Sequence, residues 1–410
     1  MAIESSILTK GFVTLKERVH VYLLNFEGPF PLLGAGGGVI VTSPRDVTAE
    51  LKSSFSPSSV TKVPFTTHTP LSSGPLGSSS MVMEAIFPCR DLVPIMYFLT
   101  TLLASSALPI RNLNQPHISR RLLLEFEAGV TGVDFKQLGR SSVKIPVLGL
   151  GTWGMGGLSS KRLGGEEEAV RALRLGLELE MRFIDTAEVY AAGHSEEIVA
   201  QATKDEREGV FIATKVSAEN LSYERLLRSC ESSLKRLQTS YIDLYQVHWP
   251  NPSIPIAETM RAMEHLVAKG KVRHVGVSNF SVQQTREAEA ALSKAELASN
   301  QVEYSLLDRS IEKDLLPFAA KEHITIIAYS PVGRGEISRG GRGERWHVLD
   351  KIAEKYGKTR SQVALNWLIM KDPVVAIPKA SRLDHVKENA GAAGWKLNHK
   401  DQATLDSAFT

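Results

Sequence analysis

The sequence predicts an α/β protein: a (β/α)8 TIM barrel over residues 133–410, preceded by an N-terminal extension of uncertain order over residues 1–132. Two observations favour this fold. Eight short apolar runs alternate with stretches of helical periodicity, which is the order of elements in a parallel barrel. Helix start signals also fall between the runs. A doubly wound parallel sheet is the structural alternative.

The eight apolar runs are the predicted barrel strands. They are short, as expected for strands buried in a parallel sheet. In chain order they begin near residues 148, 183, 210, 242, 272, 298, 325 and 374 and read LGLGT, FIDTA, VFIATKV, IDLYQVHW, VRHVGVSNF, ASNQVEY, TIIAYSP and VVAIPKA.

Helices are predicted between these runs. Ser281 and Thr359 are each followed three positions later by a glutamine, a pattern typical of the capping box at a helix start. Two apolar stripes have helical spacing: Val170, Leu173 and Leu177 in one, and Ile256, Met260, Met263 and Val267 in the other.

The extension differs in composition from the predicted barrel. Residues 41–80 are rich in Ser, Thr and Pro and show neither helical nor strand periodicity, so they bury too little apolar surface to offset the entropy of ordering. The regular pattern begins at Val133. One hypothesis is that translation of the native protein starts near this residue, because a GTG start codon is read as valine. N-terminal sequencing that finds Met1 in the native protein would contradict it.

Residues 92–110 carry no charge and are just long enough for a membrane span. Pro94 and the Ser and Thr residues of this segment argue against a span, and we expect no membrane contact.

Composition limits the classes of partner. The chain has 43% hydrophobic and 23% charged residues and a net charge of +3, which gives no reason to expect nucleic acid as a partner. Its two cysteines are too few for a disulfide framework and suit a reducing compartment, so we expect a cytoplasmic protein. No CxxC or HExxH pattern is present, and no metal site is predicted.

Residues with ionisable side chains lie at the ends of three successive predicted strands. Asp185, Lys215 and His248 each lie at a strand end, and Tyr190 lies in the loop five residues after Asp185. Active sites of parallel barrels lie at the carboxyl ends of the strands, so the four side chains are expected to converge. A structural ion pair is the alternative for any one of them alone.

This set of residues suits proton donation to a carbonyl. A free tyrosine has a pKa of about 10, and a nearby ammonium would lower it. We expect Asp185 to hold Lys215, Lys215 to tune Tyr190, and His248 to orient the oxygen that Tyr190 protonates. A general acid without a nucleophile beside it indicates carbonyl reduction, with hydride from a cofactor.

From about residue 134 to 408 the chain resembles the aldo-keto reductase family. The matching stretches occur in family order and at family spacing across all eight predicted strands, which makes the resemblance specific. They are GLGTWGMGG (149–157), FIDTAEVY (183–190), ATK (213–215), DLYQVHWP (243–250), GVSNF (276–280), NQVEYS (300–305), AYSPVG (328–333) and IPKAS with VKEN (377–389).

The resemblance implies a catalytic tetrad of Asp185, Tyr190, Lys215 and His248, and a substrate pocket lined by Trp153 and Trp249. It also implies an oxidoreductase that uses a nicotinamide cofactor to reduce a small-molecule aldehyde or ketone. The cofactor-binding residues expected on this basis are Thr152, Ser278, Asn279, Gln301, Tyr329, Ser330, Val332, Gly333, Arg334, Lys379, Ser381, Arg382, His385, Glu388 and Asn389.

Cofactor preference is less clear from the sequence. The resemblance places Ser278, Asn279 and Gln301 on the nicotinamide carboxamide and Tyr329 against the ring. At the adenosine phosphate, however, alanine stands where the family often has serine, and His385 replaces the usual arginine. We expect NADPH, with NADH as the alternative.

Two other functions stay open on the same fold. One is a non-enzymatic redox-sensing subunit, as in the potassium-channel β subunits that resemble this family. The other is an aldolase-like barrel in which Lys215 forms a Schiff base. Measured turnover favours the reductase over the first, and borohydride trapping of a substrate on Lys215 would favour the second.

Overall fold

The computed structural model describes residues 134–410, except Ser159 and Leu163, and the backbone of three upstream strands. The chain divides into two compact units, Met1–Asn114 and Gln115–Thr410. In the first unit, three strands form an antiparallel sheet with the last strand in the centre: Val19–Leu23, Thr66–His68 and Val82–Phe87.

One of these strands departs from the sequence-based expectation. Thr66–His68 lies within residues 41–80, where no regular element was predicted. At three residues it is too short to show the alternation that identifies a strand. The apolar segment 92–110 lies outside the described residues. No helix in the described part of the chain is long and apolar enough to cross a membrane.

The second unit contains the predicted barrel, and all eight strands are confirmed. They are parallel, and each pairs with its neighbours in chain order. The strands are β1 (Leu150–Gly151), β2 (Phe183–Asp185), β3 (Phe211–Val216), β4 (Ile242–Val247), β5 (Val272–Ser278), β6 (Leu297–Glu303), β7 (Thr325–Tyr329) and β8 (Val374–Ala376).

Glycines allow the first strand to close the sheet against the last. Parallel bridges join Leu148, two residues before β1, to Ala376 and join Gly151 of β1 to Lys379. A Cβ atom on Gly151 would lie 2.8 Å from the carbonyl oxygen of Ile377. This distance is shorter than a non-bonded contact permits, so the close approach of the two strands requires glycine.

Helices cover the outside of the barrel. The predicted capping boxes at Ser281 and Thr359 are both present, at the starts of α5 and α9. The helices are α1 (Glu166–Glu178), α2 (His194–Thr203), α3 (Tyr223–Leu237), α4 (Ile256–Ala268), α5 (Val282–Ala290), α6 (Leu315–Glu322), α7 (Glu336–Arg339), α8 (Glu344–Tyr356), α9 (Arg360–Ile369), α10 (Leu383–Ala390) and α11 (His399–Ala408).

The C-terminal helix α11 was not predicted. Asn398 caps this helix by accepting a hydrogen bond from the backbone N–H of Asp401 at 2.8 Å. Leu405 is its fully buried contact with the core. One buried leucine leaves a weak apolar period, which explains why the sequence pattern did not reveal this helix.

A hairpin closes the amino-terminal end of the barrel. Its strands, Phe135–Gln137 and Lys144–Pro146, pair antiparallel. Leu138 and Ile145 are fully buried and pack in one cluster with barrel residues such as Leu244. The hairpin therefore fills the end of the barrel that lies opposite the predicted active site.

Lys136 fixes this hairpin to the end of α9 and the start of β8. Its Nζ donates to the carbonyl oxygens of Ile369 at 2.6 Å, Lys371 at 2.9 Å and Val374 at 2.7 Å. An ammonium at a helix carboxyl terminus also interacts favourably with the helix dipole.

We expect Lys136→Met to lower the free energy of unfolding by about 2–4 kcal/mol, because three carbonyls lose a charged donor. Chemical denaturation followed by circular dichroism would measure this. Lys144→Met is the control, since Lys144 is exposed on the second strand of the same hairpin. Equal stability of the two variants would show that the three hydrogen bonds contribute nothing.

Candidate active site

The four predicted catalytic residues meet at the carboxyl end of the barrel. Asp185 is the last residue of β2, Lys215 is the last but one of β3, and His248 directly follows β4. Tyr190 begins a short 3-10 turn in the loop after β2. Neighbouring parallel strands place these side chains side by side, as the barrel rule requires.

Lys215 is the centre of the group and is fully buried. Its Nζ lies 2.5 Å from Oδ1 of Asp185 and donates to the carbonyl oxygen of Thr186 at 2.9 Å. The same nitrogen lies 3.3 Å from the hydroxyl of Tyr190. A carboxylate, an ammonium and a phenol thus form one continuous chain.

Two amides support the other oxygen of Asp185. Oδ2 accepts hydrogen bonds from Nε2 of Gln301 at 2.7 Å and from Nε2 of Gln246 at 3.3 Å. Gln246 was not among the residues predicted for the site. The structure places it against the tetrad instead. It lies two residues before His248, and strand residues two apart share a face, so this spacing was the available signal.

The pKa values of Lys215 and Tyr190 are both raised, but for different reasons. Burial lowers the pKa of Lys215, but contacts with Asp185 and Tyr190 outweigh it, and the pKa is raised above its ordinary value. Burial raises the pKa of Tyr190, against the opposing effect of Lys215. The expected net lowering of the tyrosine pKa is therefore not found in the protein alone, because desolvation is the larger effect.

His248 faces the ring of Tyr190. The ring centroids are 5.6 Å apart and the planes make an angle of 75°. Burial, followed by the charge of Lys215, lowers the pKa of His248 to about 3. The imidazole is therefore neutral near pH 7: its one N–H can hold an oxygen by a hydrogen bond, but it lacks the second proton of an imidazolium acid.

The backbone after Tyr190 is strained. Ala191 and Ala192 have φ values of 51° and 55°, and Gly193 has 91°. A residue with a Cβ in the left-handed region costs about 1–2 kcal/mol, so two successive alanines require support from their surroundings. One support is the backbone N–H of Ala191, which donates to the carbonyl oxygen of Leu158 at 2.7 Å.

The residues expected at the nicotinamide form one network. The hydroxyl of Tyr329 donates to Oδ1 of Asn279 at 3.0 Å, and Nδ2 of Asn279 lies 3.0 Å from Oγ of Ser278. Nδ2 of Asn279 also donates to the backbone carbonyl of His248 at 3.1 Å. Oγ of Ser278 donates to the backbone carbonyl of Gln301 at 2.8 Å. This network lies directly beside the tetrad.

The loop after β7 is tightly turned. Ser330, Gly333, Arg334 and Gly335 all have positive φ values, between 49° and 85°. The backbone N–H groups of Gly333 and Gly335 donate to the carbonyl oxygens of Ser330 and Val332 at 2.8 and 3.1 Å, so the loop is a compact turn. Arg334 is exposed in this loop, and Val332 is partly buried.

The loop after β8 carries two cationic side chains that have different hydrogen-bond partners. Nζ of Lys379 donates to the hydroxyl of Ser381 at 2.9 Å. Arg382 is bound to Asp384, with its closest nitrogen 2.6 Å from the carboxylate. An arginine already paired with a carboxylate has less to gain from a phosphate than a lysine whose described partner is a neutral hydroxyl.

The remaining expected cofactor residues differ in exposure. Thr152 is buried and its hydroxyl donates to the backbone carbonyl of Asp185 at 3.0 Å. On α10, His385 is exposed, Glu388 is partly buried and Asn389 is buried. Only the first two of these helix residues therefore offer side-chain surface to a ligand without rearrangement.

Large apolar side chains are exposed near these loops. Trp153 and Trp249, the two expected pocket residues, are 55% and 51% exposed. Leu158 and Val189 are also exposed, and the sequence analysis did not select them. Both adjoin the Tyr190 turn, Val189 in sequence and Leu158 through its hydrogen bond to Ala191.

The described residues provide neither a metal-binding cluster nor a reactive thiol at this site. Within the described residues, no group of three or more His, Cys, Asp or Glu side chains could hold a metal ion. Cys230 is a free, buried thiol on α3, and burial raises its pKa to about 12. It is therefore a core residue and not a nucleophile.

Known proteins are similar to this chain in sequence and in fold. The methylglyoxal reductase YeaE of Escherichia coli is 40% identical over 267 residues, covering 65% of this chain and 92% of the relative. The crystal structure of a thermostable aldo-keto reductase, Tm1743, with the inhibitor epalrestat has a TM-score of 0.64 at 43% identity. It covers 67% of this chain and 99% of that one.

A second solved structure carries a nucleotide. It is an aldo/keto reductase from Klebsiella pneumoniae in complex with NADP and acetate. Its TM-score is 0.61 at 36% identity, over 68% of this chain and 96% of that one. The family model described as "Aldo/keto reductase family" matches residues 147–409. The protein therefore belongs to the aldo/keto reductase family.

Proposed function

We propose that the protein is an NADPH-dependent reductase that converts aldehydes and ketones into alcohols. One observation carries the proposal: the hydroxyl of Tyr190 lies 3.3 Å from the ammonium of Lys215, which Asp185 holds at 2.5 Å. This arrangement provides a proton donor whose conjugate base would be stabilised by a fixed positive charge. Similarity to the E. coli methylglyoxal reductase and to the NADP complex from K. pneumoniae supports it.

The donor groups of the site fit a nicotinamide dinucleotide. Asn279 and Gln301 supply amides for a carboxamide, and the half-exposed ring of Tyr329 offers an aromatic face. Lys379 supplies a cation for a phosphate, and Arg334, which lies 3.5 Å from the carboxylate of Glu303, is a second candidate. Among the described contacts, the hydrogen bond of Lys379 goes to a neutral hydroxyl, which leaves its charge available to a phosphate.

Residues of the protein carry out the proton transfer. When bound, the reduced nicotinamide supplies the hydride that the carbonyl carbon accepts. Tyr190 donates its hydroxyl proton to the carbonyl oxygen, and Lys215 stabilises the phenolate that remains. Asp185 keeps Lys215 charged and in place. His248, neutral at physiological pH, orients the carbonyl oxygen towards Tyr190.

Lys215 is poorly suited to the Schiff-base alternative. Formation of an imine requires a neutral amine, and a lysine that serves this purpose has a lowered pKa. Here the partners of Lys215 raise its pKa, and the side chain is fully buried behind Tyr190 and Asp185.

The substrates we propose are small aldehydes, ketones and α-oxoaldehydes such as methylglyoxal. The test is a panel of carbonyl compounds with purified protein, in which the loss of NADPH or NADH absorbance is followed. We expect turnover well above the rate without enzyme, and a greater kcat/KM with NADPH. Absence of turnover with every compound would contradict a reductase and favour a redox-sensing subunit. We also propose that the protein acts in the cytoplasm, where its buried thiol stays reduced.

Cofactor preference is expected to depend on Lys379. A charge-assisted hydrogen bond is worth about 1.5–3 kcal/mol, so Lys379→Met should raise the KM for NADPH at least several-fold. The KM for NADH should change little, because NADH lacks the 2′-phosphate. Steady-state kinetics with both cofactors would measure this.

Arg382→Met provides the comparison. Because Asp384 already engages Arg382, we expect a smaller effect on NADPH than Lys379→Met produces. If Lys379→Met raised the KM for both cofactors equally, the 2′-phosphate would not be bound at this lysine.

A further inference from the structure

Tyr190 lies on a segment whose own backbone does not favour its conformation. The strained turn at Ala191 and Ala192 follows it directly. Such a turn persists only when the surrounding structure over-determines it. On the carboxyl side, the hydrogen bond from Ala191 to Leu158 provides one anchor. The amino side requires another.

The side chain of Glu188 provides that second anchor. Its Oε1 accepts hydrogen bonds from the backbone N–H of Ser217 at 2.6 Å and from Nδ2 of Asn220 at 3.1 Å. Its Oε2 accepts from the hydroxyl of Ser229 on α3. The backbone N–H of Glu188 also donates to the carbonyl oxygen of Lys215 at 3.2 Å.

These contacts join the two partners of the proton-transfer pair. Glu188 precedes Tyr190 by two residues, and Ser217 follows Lys215 by two residues. One carboxylate therefore connects the Tyr190 loop to the end of the strand that carries Lys215. The three described groups that donate hydrogen bonds to this carboxylate are all neutral. This indicates that Glu188 has a geometric role and is not part of an ion pair.

We infer that Glu188 is a positioning residue that sets the distance between the Tyr190 hydroxyl and the Lys215 ammonium. The inference rests on the proposed reductase function. Glu188 acts through Tyr190, because the described hydrogen bonds of its carboxylate go to Ser217, Asn220 and Ser229 on α3 and not to a tetrad side chain. Its loss should reduce proton transfer while the cofactor still binds.

The first test compares Glu188→Ala with Glu188→Gln, using methylglyoxal and NADPH. A misplacement of about 1 Å at a reacting group can cost on the order of 10²-fold in rate, so we expect Glu188→Ala to lower kcat by about 10–100-fold. The Kd for NADPH, measured by tryptophan fluorescence, should change little. Glu188→Gln keeps the oxygen that accepts from Ser217 and Asn220 and should recover most of kcat. Glu224→Ala, an exposed acid on α3, is the control.

A second measurement separates positioning from general loss of structure. In a Tyr190→Phe background, Glu188→Ala should lower the residual rate by less than about threefold, because the hydroxyl that Glu188 positions is already absent. An undiminished effect in that background would overturn the inference, as would a full kcat in Glu188→Ala or an equal loss in Glu188→Gln.

If Glu188→Ala does not fold, Ser229→Ala is the replacement variant, because it removes one hydrogen bond to the carboxylate and leaves the loop sequence unchanged. It should lower kcat by about 3–10-fold; an unchanged kcat would overturn the inference. Failure of the reductase proposal looks different, because the wild-type protein itself would then show no carbonyl turnover.

Discussion

Tyr190→Phe should lower kcat for carbonyl reduction by about 10²–10⁴-fold, the range that general acid catalysis contributes. The phenyl ring remains, so its packing against His248 should be kept. Only the hydroxyl, 3.3 Å from the Lys215 ammonium, is removed. Steady-state kinetics would give kcat, and a fluorescence titration would show that the affinity for NADPH is unchanged.

Tyr329→Phe is the matched control for this substitution. It also removes one tyrosine hydroxyl at the same end of the barrel, but the hydroxyl donates to Asn279 and not to the tetrad. We expect a modest change, confined mainly to cofactor affinity. If Tyr190→Phe kept most of its kcat, the proton would have to come from another group, and the role assigned to the Asp185–Lys215–Tyr190 chain would be wrong.

Lys215→Met should cause a comparable loss of kcat and a loss of stability as well. Removing one partner of a buried ion pair leaves the other charge uncompensated, which costs about 3–5 kcal/mol. Asp185 is 2% exposed, so its carboxylate would be left facing only the amides of Gln301 and Gln246. Denaturant unfolding would measure the free energy, and the reductase assay would measure kcat.

The double variant Lys215→Met with Asp185→Asn separates the two effects. Replacing the carboxylate removes the buried charge, so much of the stability should return while the activity stays low. Activity that recovered together with stability would mean that Lys215 serves the fold and not the reaction.

The eight strands were predictable because each apolar run is buried and each is separated from the next by helical periodicity. The four residues Asp185, Tyr190, Lys215 and His248 were found because strand ends in a barrel converge, whatever the rest of the chain does. These inferences needed only local sequence and one rule of topology. The carbonyl-reducing chemistry followed from the residue types and, more specifically, from the resemblance to the family.

Other features depend on contacts between distant segments. Glu188 was overlooked because its partners Ser217, Asn220 and Ser229 lie about 30–40 residues away in sequence. The direction of the Tyr190 pKa was missed for a related reason. Burial is its largest cause, and the degree of burial emerges only from packing.

The hairpin at the amino-terminal end of the barrel was also not predicted. Each of its strands has only three residues, which is too short for a clear alternating pattern. The role of Lys136 is visible only in the structure, because its three acceptors lie more than 230 residues away, at the end of α9 and the start of β8.

The carboxylate of Asp185, which contacts two parts of the site, couples the proton affinity of Tyr190 to the affinity of the nicotinamide site for its ligand. One oxygen holds Lys215 beside the proton donor, and the other holds Gln301, which belongs to the proposed nicotinamide site. A ligand that draws the amide of Gln301 away changes the field at Lys215, and so changes how tightly Tyr190 keeps its proton. Thermodynamic linkage then requires the converse: the affinity of that ligand varies with the protonation of Tyr190.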